Sequence, residues 1–113
     1  MLIFNLKKEW FNKIKSGEKT HEYREVKPYW TTRIGNHFGY LLCDIDNLKS
    51  GNIYYPILKD IILKMGYTSE KIYARVVSIK IVDGKNTDLK IDKDVFDIEF
   101  KLISKCEVEN DNK

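Results

Sequence analysis

Residues 17–34 read GEKTHEYREVKPYWTTRI, and the fold turns on how this stretch is placed. From Lys19 to Val26 charged and polar groups fall on both parities. A strand of a small domain ordinarily gives one face to the core, because successive side chains point to opposite sides. Pro28 ends the extended run, since the residue before a proline is pushed out of helical geometry. By parity Thr20, Glu22 and Arg24 share one face, while Lys19, His21 and Tyr23 share the other. A carboxylate and a guanidinium on one face, if buried, must be paired and hydrogen-bonded. That face is therefore expected to line a polar cavity rather than an oily core, and His21 is expected at the surface.

Upstream, LIFNL at residues 2–6 is short, apolar and bounded by charge, which predicts a buried strand. Leu6, Trp10 and Ile14 then recur at intervals of four with Phe11 beside them, the stripe of an amphipathic helix over Lys7 to Ser16. Trp10 and Phe11 are assigned to the core. Asn5 is the candidate cap, Glu9 suits the first turn, Lys13 and Lys15 the last, and Gly17 the left-handed stop.

Downstream, PYWTTRI predicts one helical turn with Pro28 at its first position. Residues 35–59 mix turn signals with short apolar pieces and read as strand plus variable loop. Two strands are expected to meet near Met65-Gly66-Tyr67, the second over Ile72 to Val82. Val95 to Ile103 alternates well, with Phe96, Ile98 and Phe100 opposite Asp97, Glu99 and Lys101. Residues 83–94 read as a loop and 107–113 as a frayed acidic tail. The predicted class is α+β: a small, mostly antiparallel β-barrel with an N-terminal helix packed against it, forming one domain over residues 1–106.

The chain has 113 residues, enough for one core. Its 20 basic and 17 acidic side chains are unevenly placed. Residues 7–33 carry eight basic and four acidic groups, whereas residues 83–113 carry six and nine, so the basic excess coincides with the quoted stretch. A mild basic patch suits a phosphate-bearing ligand. The two cysteines, Cys43 and Cys106, make neither a disulfide framework nor a zinc site, which points to a reduced cytoplasm and no metal. The first residues place charge after a short apolar run, which is neither a signal peptide nor a spanning helix, so no membrane partner is expected.

An apolar strand, a helix ending in IKSG and then GEKTHEYR resembles the signature of the ASCH domain family, Gly-x-Lys-x-x-Glu-x-Arg, here Gly17, Lys19, Glu22 and Arg24. KPYWTTRI, the Gly66-Tyr67 pair and FDIEFKLI are similar to features of its short stand-alone members from phages and mobile elements. The resemblance covers residues 1–34 and about 60–104, so residues 35–59 look like an insertion. It implies a PUA-like barrel that binds RNA or a nucleotide-like ligand without a cofactor. Lys19 and Arg24 would engage anionic oxygen, and Glu22 would orient Arg24 or accept from a base edge. Thr20, Tyr29, Trp30, Arg33 and Tyr67 complete the candidate ligand residues, the aromatics as stacking surfaces.

Two other readings follow. Some members of the family are hydrolases, cleaving RNA or deacetylating acetylated cytidine with a lysine and a threonine three residues later. Here that position is Glu22, so little deacetylation is expected, and Lys19, Glu22 and Tyr23 are the candidate groups for any ribonuclease chemistry. Alternatively the protein is an interaction module that holds a host protein through residues 35–59, where Tyr54-Tyr55-Pro56 is the only cue.

Overall fold

The structure, a computed structural model, describes residues 1–39 and 42–108, with the side chains of residues 42–44 excepted. Cys43 and residues 109–113 of the expected acidic tail thus fall outside what is described below.

The strands are β1 (Leu2–Leu6), β2 (His21–Glu25), β3 (Asp60–Met65), β4 (Lys71–Asp83) and β5 (Asp94–Ile103). They form one sheet in the order β1-β3-β4-β5-β2. The β3–β4, β4–β5 and β5–β2 ladders are antiparallel, and β1 joins β3 in parallel. Helices α1 (Lys8–Lys15), α2 (Pro28–Phe38) and α3 (Leu42–Lys49) complete an α+β domain. No helix among the described residues is long and apolar enough to cross a membrane.

β1 and β2 lie at opposite ends of the strand order, yet Arg24 of β2 donates from Nη2 to the Asn5 carbonyl of β1 at 3.1 Å. The sheet therefore curls into a half-barrel whose open seam runs between β1 and β2. A bulge in β4 between Val76 and Ser78, which leaves Val77 exposed, supplies local twist. The inner face carries the core: Phe4, Ile61, Leu63, Ile79, Phe96 and Ile98 have no exposed surface.

Two expectations of burial need refinement. β1 is buried on one side only, since Leu2, Phe4 and Leu6 face the core while Ile3 is exposed. In β5, Phe96, Ile98 and Phe100 are buried as the alternation predicts, but Asp97 on the opposite face is buried too, covered by His21 and Lys80 from the flanking strands.

Helix α1 buries Phe11 and Ile14, and Trp10 packs partly exposed against the core. Its start is not capped by Asn5, which is still in β1; Lys7 holds the N-cap position with no side-chain bond. At its end Gly17 adopts φ 86°, a left-handed turn open to glycine at little cost.

In residues 35–59 helices take the place of the expected strand, and among the described residues the expected loop is confined to residues 50–59. Helix α2 continues through Gly35 and Asn36 to Phe38, beyond the single turn expected, because Ile34 and Phe38, one turn apart, are both buried. Gly39, at φ 80°, closes it. In α3, Ile45 and Leu48 add to the same core. The chain is then tied to the sheet at Tyr54, which pairs with Ile79 and donates its hydroxyl to the Phe38 carbonyl at 2.9 Å.

Candidate functional site

Each side chain at the seam is placed by an identifiable local feature. The turn after α1 folds back so that the Lys19 amide donates to the Lys13 carbonyl at 3.0 Å, which holds Lys19 beside Trp10 of the helix. Phe100 of β5 donates to the Thr20 carbonyl, extending the β2–β5 ladder by one residue. In register, Glu22 stands opposite Ile98 and Arg24 opposite Phe96, so parity sends both charged side chains to the inner, apolar face. That geometry answers why this strand carries charge on two faces: Glu22 and Arg24 close the mouth of the half-barrel, and His21 and Tyr23 line its outer side.

Arg24 Nε donates to Glu22 Oε2 at 2.8 Å, and Nη2 reaches the same oxygen at 2.5 Å. The guanidinium lies 5.1 Å from the Phe4 ring centroid and 4.7 Å from that of Trp30. Glu22 Oε1 and Arg24 Nη1 have no hydrogen-bond partner among the described residues.

A second buried pair shows the contrast. Arg75 of β4 binds both oxygens of Asp60 of β3, at 2.8 and 3.2 Å, and also donates to the Glu107 carbonyl, tying the Lys105–Glu107 turn to the sheet. The Asp60 carboxylate is engaged through both oxygens, while Glu22 spends one and keeps the other.

Burial pushes the Glu22 carboxyl above its ordinary range, against the opposing pull of Arg24 and then Lys19. Burial also raises the Tyr23 phenol, reinforced by Asp97, Asp88 and Glu22, so at neutral pH Tyr23 is a hydrogen-bond donor and not a phenolate base. Lys19 is held by Asp88 at 2.5 Å and lies 4.8 Å from the Tyr23 ring centroid and 5.4 Å from that of Trp10, with its side chain 11% exposed. Asp88 arrives on the segment after β4, whose 3₁₀ turn Gly84–Asn86 is pinned by Gly84 N to Lys93 O and Thr87 Oγ1 to Gly84 O.

These groups surround a cleft of about 430 Å³ at the seam, within the size range of small-molecule sites. Of the predicted residues, Lys19, Glu22, Tyr23, Arg24 and Trp30 line it together. Thr20 lines an adjoining cleft. Tyr29 and Arg33 pack on each other along α2, 4.3 Å from guanidinium to ring centroid, outside both clefts. Tyr67 stands 99% exposed on the β3–β4 turn, also outside both.

Among the wall residues that sequence reasoning missed, Trp10 and Asp88 matter most. Trp10 was assigned to the core from its helical spacing, yet it borders the cleft; Asp88 lies in a loop where nothing local distinguishes it from its acidic neighbours. His21, expected at the surface, is half-buried, with Nδ1 2.6 Å from Asp97 Oδ1. No family model, curated protein or solved structure matches the chain.

Proposed function

We propose that the seam cleft binds an RNA or nucleotide-like ligand. The observation that carries this reading is the arrangement of two cations, Lys19 and Arg24, each held against aromatic rings in one open cleft beside the unpartnered oxygen of buried Glu22. A nucleotide offers the complementary groups: an anion for Lys19 and Arg24, a flat face for Trp10 or Trp30, and edge donors for Glu22 Oε1. Lys7 and Lys27 at the rim add positive charge that favours an anion's approach.

The arrangement favours binding over hydrolysis. Lys19, the candidate nucleophile or base, is ion-paired to Asp88, and Glu22 stands in place of a hydroxyl-bearing threonine. The resemblance of Gly17, Lys19, Glu22 and Arg24 to the ASCH signature supports the same reading.

Binding of single-stranded RNA, followed by calorimetry at two salt concentrations, tests the proposal. Affinity should fall as salt rises, as phosphate contacts require. Lys19→Ala should weaken binding by about tenfold or more, the scale of a lost charge contact. Equal affinity of the variant and the parent would refute the site.

A further inference from the structure

Beside the seam cleft lies a second concavity of about 470 Å³, and the two share Trp10, Lys19, Tyr23 and Asp88. The partition between them is thus two aromatic rings and one ion pair. Lys19 stands close to both rings, so a stacking surface is available on either side of its ammonium. The second cleft has polar and cationic groups of its own. Lys13 lies 5.1 Å from the Trp10 ring centroid, Lys90 borders the far side, and Thr20 and His21 supply hydrogen-bonding groups. Asp97 Oδ1 accepts from His21 Nδ1–H at 2.6 Å, which holds the ring in place and leaves Nε2 for a ligand.

We infer that the two clefts are consecutive subsites for single-stranded nucleic acid, and that the phosphodiester joining two nucleotides seats on Lys19 in place of Asp88. This rests on the seam cleft being a nucleotide site, and adds that its ligand is a strand rather than a mononucleotide. The exchange at Lys19 is balanced in charge: a carboxylate and a phosphodiester each carry one negative charge, so the ammonium is not left unpaired. The volumes fit, because each cleft falls within the range of small-molecule sites and so can take at least one nucleoside. Asp88, whose side chain is 29% exposed, borders both clefts and can turn to solvent without uncovering the core.

Calorimetric titration of adenosine 5′-monophosphate, ApA and ApApA into the wild-type protein at one low salt concentration is the test. ApA carries less negative charge than the mononucleotide, so attraction by charge alone would rank it weaker. Two subsites rank it stronger, by about tenfold or more from the second stacked base, with a much smaller gain from ApA to ApApA. Asp88→Asn, which releases Lys19, should tighten ApA severalfold. Equal or weaker binding of ApA than of the mononucleotide overturns the two-subsite inference and leaves the seam cleft as a nucleotide site. Binding of none of the three overturns that reading and the inference with it.

Discussion

Arg24→Ala tests whether the Glu22–Arg24 pair is a buried unit. Truncation removes two bonds to Glu22 Oε2 and one to the Asn5 carbonyl that spans the seam, together with the packing of the guanidinium on Phe4 and Trp30. Removing one member of a fully buried pair costs about 3–5 kcal/mol. Two features reduce that here: the Arg24 side chain is 20% exposed, and Lys19 still lies near enough to Glu22 to favour its charge. A loss of about 2–3 kcal/mol is expected, which for a chain of this size lowers Tm by about 10 °C. Urea unfolding of the wild type, Arg24→Ala, Glu22→Gln and the double variant would measure it. Because much of the loss comes from leaving the buried Glu22 carboxyl without its partner, the double variant should recover about 1 kcal/mol relative to Arg24→Ala. A loss below about 1 kcal/mol, with no recovery, would place the pair among exposed ion pairs and refute the reasoning.

Further outcomes follow from particular groups. The Glu22 carboxyl is raised above its ordinary value of 4.5, so the folded state holds this proton more tightly than the unfolded chain. Its stabilising contribution is therefore complete below pH 4.5 and lost as pH rises through the folded-state pKa. Unfolding measured across that window should show wild type losing stability relative to Glu22→Gln, and parallel curves would contradict the assignment. Gly84→Ala would place a Cβ 2.6 Å from the Lys93 carbonyl oxygen and 2.8 Å from that of Ile91. It should cost about 1–3 kcal/mol in thermal unfolding, and an unchanged Tm would show that the Asp88 segment is less tightly anchored than described. Purified protein incubated with acetylated cytidine should release little or no cytidine by chromatography, as the ASCH resemblance implies, since the position three after Lys19 carries Glu22 and not a threonine. Robust turnover that Lys19→Ala abolishes would reverse that expectation.

The parts of the fold legible in the sequence were those whose pattern is local. Phe96, Ile98 and Phe100 alternate strictly, Phe11 and Ile14 share a helical face, and the parity of Glu22 and Arg24 follows from the strand alone. Helix α2 was foreseen only for its first turn and α3 not at all, because Gly35, Asn36 and Asn47 carry turn signals. What overrides those signals is burial of Ile34, Phe38, Ile45 and Leu48 against a sheet assembled from residues far away in the chain. The parallel β1–β3 ladder spans the same region and has no local mark. At the site, the pairing of Lys19 with Asp88 joins residues 69 apart, so neither the bond nor the second cleft could be read from spacing.

The chain has two tryptophans, and both line the seam cleft, which makes their indole Nε1–H resonances direct reporters of its occupancy. Titration of ¹⁵N-labelled protein with single-stranded RNA should shift both indole signals and the Arg24 Nε–H signal along one saturable curve. Unmoved indole and Arg24 signals, with shifts confined to the exposed Ile53–Leu58 segment, would contradict the seam as the binding site.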